Sequence, residues 1–415
     1  MTDPATGPVF TDDYWREPFR VLAEVRDRAP VREVELPEGG TTWLVTRYAD
    51  ARSVMTDPRF VKDFRNTLPP EQRAHVDGIP SPGGDMMLLN DPPVHTRLRK
   101  LVVKAFTVRR VAALRPRVET MAGALLAALP TDTPVDLVAG YAVPLPMGVI
   151  CELLGVPLDD RDAFGAWSIT LVDETSDAEK QQASASLAAY LSELVERKRA
   201  EPDEALISAL IEVADEGDQL SDDEIVAMAM LLLIAGHETT ATLVTTAVEA
   251  MLRDPELRDR LAAAASDELR AAIEEFLRWG APVATAPLRF AAEDVDLDGV
   301  VVPRGAMVMV SLAAANHDPA RFERPDDYDE LRDTTGHLAF GHGLHFCLGA
   351  SLARLETEVA LRALLDRYPA FGPGTELPVE RRRSVLVNAW QRLPVVLDPE
   401  AAESARSAEP VAPSA

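Results

Sequence analysis

Residues 340–349 read Phe-Gly-His-Gly-Leu-His-Phe-Cys-Leu-Gly, FGHGLHFCLG. Three glycines in this decapeptide open backbone conformations closed to other residues, so the chain can bend tightly here. The residues that follow, ASLARLETEVALRALLDR, carry helical periodicity over Gly349 to Arg367. Cys347 therefore stands at a helix start, with helix-end N–H groups facing its sulfur. Such donors stabilise an anionic sulfur, and an aromatic such as Phe340 shields it from water. The second cysteine, Cys151, lies in the apolar stretch VICELLGVP and reads as a small buried thiol. Two cysteines make no disulfide framework and fit a reducing compartment.

Zinc does not suit Cys347, because no second cysteine is near and His342 and His345 flank the wrong way for four ligands. Working outward, the segment IVAMAMLLLIAG is apolar on every face, as in a helix that passes through a protein interior. Ser221 and Glu224 form a capping box at its start, and the pattern runs to about Arg253. Within it Ala235, Gly236, His237, Glu238, Thr239 and Thr240 follow in order. A glycine followed by threonine in an apolar helix can open the backbone ladder into a groove. Glu275 and Arg278 stand three apart in AIEEFLRW and share a helix face. His95 and Arg99 in HTRLR stand one turn apart on another.

Phe340, Gly343, Cys347 and Gly349 match the haem-binding signature of the cytochrome P450 family, which this chain resembles from Tyr14-Trp15 to about Leu397. DPPVHTRLR and GASLARLE are similar to soluble actinobacterial members, ferredoxin-dependent enzymes that tailor secondary metabolites. The resemblance implies a mainly α fold with a smaller β-rich portion, one haem-enclosing domain over residues 1–400 with a long central helix, and a disordered tail at 401–415. It implies haem b (iron protoporphyrin IX) with Cys347 as the iron ligand, a thiolate that favours O–O cleavage. Glu238 and Thr239 match the oxygen-activating motif, Thr239 hydrogen-bonding dioxygen during its activation and Glu238 relaying protons. His95, Arg99, Arg289 and His345 match the residues that hold the haem propionates, for which guanidinium suits carboxylate. Glu275 and Arg278, joined by His337, would lock the core beneath the haem. Tyr328 departs from the pattern, since the family more often has Phe there.

Substrate contacts carry no fixed chemistry. Met87 and Leu88, Leu232 and Ala235, Val283 and Ala284, and Leu386 are the candidates, apolar and modest in size, suited to a roomy hydrophobic pocket. The expected reaction is hydroxylation or epoxidation of a hydrophobic small molecule, with a polyketide macrolide first. Steroid, terpenoid or peptide oxidation, a peroxygenase and a non-catalytic haem sensor are the alternatives. The stretch contains no flavin or nicotinamide domain, so a separate ferredoxin and its reductase would supply electrons. An acidic ferredoxin calls for a basic patch on the cysteine side, with Arg97, Arg110 and Arg354 as candidates.

Lys and Arg number 42 against 68 Asp and Glu, a net charge of −26 that would repel nucleic acid. The N-terminal residues show no targeting signal, and the longest apolar run, Ala227 to Gly236, is too short to span a bilayer; a cytoplasmic monomer is expected. VREVELP and TTWLVTRY read as a hairpin. Helices are expected at Pro18–Arg28, Tyr48–Thr56, Val94–Ala105, Val108–Ala128, Pro144–Leu154, Arg161–Leu171, Glu179–Arg199 and Glu204–Ala214. Residues 60–90 lack periodicity and read as a long functional loop, and strand-like runs gather after Ala281.

Overall fold

The structure, a computed structural model, describes residues 8–76, 86–172, 176–215, 217–375 and 379–398. The 401–415 tail and part of the long loop lie outside the described residues. A sheet ties the first part of the chain to its later part. Strands β1 (Val31–Glu35) and β2 (Thr41–Val45) form the expected hairpin, Val31 opposite Val45, with Gly39 and Gly40 at positive φ in the turn. β3 is Phe60–Val61, β4 Arg289–Ala291 and β5 Met307–Val310, in the order β1-β2-β5-β4-β3. The antiparallel register sets Phe60 against Ala291 and Val61 against Phe290, which brings Lys62, the next residue, to Arg289.

Five helices position the site: α1 (Val94–Ala105), α2 (Pro144–Leu154), α3 (Asp222–Arg253), α4 (Ser266–Gly280) and α5 (Ala350–Arg367). α3 opens on the expected capping box, with Ser221 Oγ accepting the Glu224 N–H and Glu224 accepting the Ser221 N–H. It is long and apolar enough to cross a membrane, yet Thr240 to Leu252 are buried continuously among α2, α4 and α5. Its apolar circumference serves the protein's own core.

Several expectations are refined. The helix expected over Val108–Ala128 is two, Val108–Ala113 and Arg115–Ala128, because Pro116 in the first turn of the second restarts the hydrogen-bond ladder. The 24-residue helix Asp177–Ala200 begins at a capping box formed by Ser176 and Glu179, two residues earlier than periodicity implies. The expected Glu204–Ala214 helix is shorter, Leu206–Glu212, and a hairpin at Ala214–Asp215 and Asp218–Gln219 follows it. Residues 60–76 are not irregular: they form β3, a 3₁₀ turn at Phe64–Thr67 and a helix at Pro70–Val76.

Candidate active site

The loop before α5 is set by Gly341 and Gly343, both left-handed at φ 71° and 74°. A Cβ at Gly343 would also meet the Met55 carbonyl oxygen at 3.0 Å, so this position needs glycine for both conformation and space. The Cys347 N–H closes the loop on the Phe340 carbonyl at 2.9 Å, and Gly349 is the N-cap residue of α5. Cys347 has accessible surface but sits deep among protein atoms. Burial pushes its thiol pKa up, against the Gly349 N–H bonded to the sulfur and the charges of Arg99 and Arg354. The helix-end donors expected to favour the thiolate thus do not outweigh burial, and a coordinated cation is what would make the sulfur anionic. Cys151 is buried, as expected, and burial lifts its thiol to about 11.

Beside the loop lies a cluster of bases. His95 and His345 have ring centroids 4.2 Å apart, and among the described residues both ring nitrogens of the buried His95 lack a hydrogen-bond partner. Arg99 Nη2 donates to the Phe346 carbonyl at 2.7 Å, fastening α1 to the cysteine loop. Arg289 is buried, with one bond to the Pro287 carbonyl at 3.2 Å, and burial brings its pKa to about 10. Burial, helped by Lys62, His95, Arg289 and Arg99, pulls His345 down to about 2. Burial first and the Arg99 charge second lower His95. Each base disfavours charge on its neighbours, so the cluster is electrostatically suited to anionic carboxylates. The orphaned imidazole and the donor set would suit the two propionates of a haem, were its iron held by Cys347. Among the described residues no group of three or more His, Cys, Asp or Glu could hold a metal ion. Sequence reasoning missed Lys62 in this cluster.

On α3, Thr239 Oγ1 donates to the Ala235 carbonyl at 2.9 Å and Thr240 Oγ1 to the Gly236 carbonyl at 3.1 Å. The expected opening of the helix is not seen: α3 is continuous, and the threonines add bonds to its carbonyls without displacing the ladder. Gly236 instead lets α2 approach, since a Cβ there would lie 2.8 Å from Ile150 Cδ1. Glu238 is ion-paired with Arg382, an arginine that no spacing in RRRSVLV singles out. Ile234 and Ala235 are exposed in the middle of this otherwise internal helix, Ile234 at 36%.

The apolar candidates divide. The Val283–Val387 bridge and the Ala284 N–H to Leu386 carbonyl bond of 2.8 Å bring 283–284 beside 386. Leu386 is exposed at 49%, and Leu88, Leu232 and Val283 are half-buried. Met87 and Ala284 are packed into the core in this conformation.

Beneath the loop, Glu275 and Arg278 are fully buried and joined by two bonds of 2.7 Å. Arg278 also donates to the carbonyls of Asn316 at 2.9 Å and Pro325 at 2.8 Å. His337 does not complete this pair. Arg332 does, with Nε 3.1 Å from Glu275 Oε1, because the Asp326–Arg332 turn folds over α4 and carries it there. His337 Nε2 instead meets Glu274 at 3.0 Å, in a second network with Arg354. Burial would raise Glu274, but the hydrogen bonds and charges of Arg354 and His337 carry it down to about 2. Arg354 also lies 4.5 Å over the Phe340 ring. Arg97 is not available for a basic patch, being bound to Asp218 and Glu224, each at 2.6 Å, while Arg110 donates to the Glu204 carbonyl.

A family model for cytochrome P450 matches residues 164–390. The chain is 51% identical over 396 residues to a vitamin D(3) 25-hydroxylase of Pseudonocardia autotrophica, covering 95% of this chain and 97% of that one. It is 43% identical to a mycinamicin IV hydroxylase/epoxidase of Micromonospora griseorubida, covering 90% and 94%. Among solved structures, the cytochrome P450 of the Bacillus subtilis 168 bacillaene polyketide synthase superposes with a TM-score of 0.86 at 34% identity, covering 96% of this chain and 100% of that one.

Proposed function

This chain belongs to the cytochrome P450 family, and from that premise we propose that it is a haem b monooxygenase that hydroxylates or epoxidises a large hydrophobic polyketide-derived substrate, a macrolide first, in secondary metabolism. The observation that carries the reading is the base cluster of His95, Arg99, Arg289 and His345, bonded to the Cys347 loop through Arg99 and the Phe346 carbonyl. When bound, the haem supplies dioxygen activation, with the Cys347 sulfur as a strong electron donor. Phe340 and Gly349 shape the sulfur's surroundings. The Thr239 hydroxyl can leave the Ala235 carbonyl to hold a proton over the site. Glu238 can bring that proton from solvent once its carboxylate turns away from Arg382, as general acid–base work requires. Glu275, Arg278 and Arg332 hold the frame below.

Leu88, Leu232, Ala235, Val283 and Leu386 are proposed to touch substrate. The relatives named for mycinamicin IV and for bacillaene polyketide synthase support a polyketide. The vitamin D(3) 25-hydroxylase supports a second reading, a secosteroid of similar bulk and apolarity. Electrons are proposed to come from a separate ferredoxin and its reductase, to a monomeric cytoplasmic enzyme whose residues 1–400 act as one domain. A groove of about 420 Å³ on the cysteine-loop side, lined by Arg52, His342, Phe346 and Arg354 among others, supports docking there. With Arg97 paired to Asp218 and Glu224 and Arg354 to Glu274, Arg52 is the proposed basic contact.

The reduced, carbon-monoxide-bound absorbance spectrum tests the core of this reading. A thiolate-type band is expected; a histidine-type band, or no haem, overturns it. Turnover of macrolactone and secosteroid panels by the wild type and Thr239→Ala then tests the relay. The variant should release more peroxide per electron consumed, and unchanged coupling would remove Thr239 from the mechanism.

A further inference from the structure

Lys62 carries no motif and belongs to no spacing, yet it is buried at 5% exposure where β3 meets β4. Its ammonium donates to the Pro287 carbonyl at 2.6 Å and the Leu288 carbonyl at 3.0 Å, which uses two of its three N–H groups. Both carbonyls lie on the segment leading to Arg289, so the amine is held at the face where the base cluster gathers. Among the described residues no carboxylate is within ion-pair distance of Lys62, Arg99 or Arg289. The carboxylate whose charge reaches Lys62, His95 and Arg289 is Asp91. Its oxygens are already taken by the N–H groups of Lys62 at 2.8 Å and Asp63 at 3.0 Å, and by Asn66 Nδ2 at 2.7 Å. Lys62 and Arg289 are buried and Arg99 is half-buried, and burial pushes the Lys62 ammonium well down, so holding all three as cations against one carboxylate leaves an excess of two positive charges that is costly there. A group bearing two carboxylates removes that excess.

We propose that Lys62 is a further haem-binding residue, its remaining ammonium N–H donating to a propionate beside Arg99, Arg289 and the two imidazoles. The inference rests on the reading that this cluster holds the propionates. Asp91 acts from the other end: by accepting the backbone N–H groups of residues 62 and 63 it fixes the strand end that aims the amine. Lys62 thus joins the end of β3 to the cofactor, so haem loading and the anchoring of that strand end depend on the same side chain.

The test is the rate at which haem leaves the holoenzyme for an excess of apomyoglobin, measured for natural haem and for its dimethyl ester, in which both propionates are neutral. Wild type should release the ester faster than natural haem. Lys62→Met should release natural haem about tenfold faster than wild type does, the range for one charge-assisted hydrogen bond, and the ester at the wild-type rate. Lys62→Gln, which keeps a donor for the carbonyls but has no charge, should behave as Lys62→Met does and serves if that variant does not load. If either loaded variant speeds both forms equally, or neither, Lys62 only caps carbonyls and the inference fails. If wild type itself releases both forms at one rate, the propionate reading of the whole cluster fails first.

Discussion

Tyr328 shows what one residue can cost. Its ring stacks on Phe276 with centroids 4.5 Å apart, but its buried hydroxyl has no partner. Tyr328→Phe keeps the stacking and removes an unsatisfied polar group, so it should stabilise the protein by about 1 kcal/mol, a rise of roughly 1–2 °C in Tm; a lower Tm would mean the hydroxyl is satisfied in solution. Glu274 makes a pH prediction. Its folded-state pKa of about 2 lies below the usual carboxylate value, so it contributes stability above that usual value, lost as pH falls towards about 2. Glu274→Gln should flatten the acid limb of a denaturant-derived stability profile between roughly pH 4.5 and 2, and an unchanged slope would refute the coupling. Single residues were legible when spacing carried them. Cys347, Gly349, His95, Arg99 and His345 lie on one loop and one helix that meet, whereas Lys62, Arg332 and Arg382 acquire partners far away in the chain. No local pattern announces such pairs, and His337 was assigned to the wrong glutamate for the same reason: Glu274 and Glu275 are adjacent in sequence but serve different networks.

At the scale of elements, the contact of α2 with α3 turns on Gly236. Gly236→Ala would drive a methyl into buried Ile150, and overpacking of this kind costs about 1–3 kcal/mol. Adding Ile150→Val should recover part of that loss; thermal unfolding of the single and double variants would show it, and simple additivity would deny the contact. Helix ends were legible where chemistry marks them. The Ser221 capping box and the Pro18, Tyr48, Val94 and Pro144 starts stand where the sequence puts them. The Ser176 cap is hard to read because Glu179 in its box looks like an ordinary first-turn acid, and the Arg115 restart because Pro116, at the second helical position, sits in an Ala/Arg-rich run that otherwise reads as one helix. A glycine before threonine in α3 suggests a gap, and the structure uses it for close approach.

For the whole molecule, electrostatics oppose one another by distance. A net charge of −26 repels an acidic ferredoxin from afar, while Arg52 and Arg354 line the groove beside the cysteine loop. At physiological ionic strength screening acts beyond about 8 Å, so Arg52 rather than the net charge would govern docking of the proposed ferredoxin. Reduction by a ferredoxin should therefore slow as salt rises from that level, and stopped-flow rates that rise instead would show that the global charge dominates. The order of motifs along the chain made the architecture legible, because iron ligation, the Glu–Arg pair and the central helix use few residue types at fixed spacings. The pocket was not legible. Met87 and Leu386 look alike as apolar letters, and only packing buries one and exposes the other.

The two thiols also provide a ready measure of occupancy. Cys151 is sealed in the core with its ionisation pushed to about 11, whereas Cys347 has accessible surface. In the folded apoprotein a slow, small maleimide should therefore label one thiol, and in the loaded enzyme none if Cys347 is the iron ligand as proposed, since the metal would shield that sulfur. The fraction alkylated, read by mass spectrometry of the intact chain, then counts empty molecules directly, with no extinction coefficient and no assay of turnover. Two equivalents taken up under native conditions would show instead that the core around Cys151 opens.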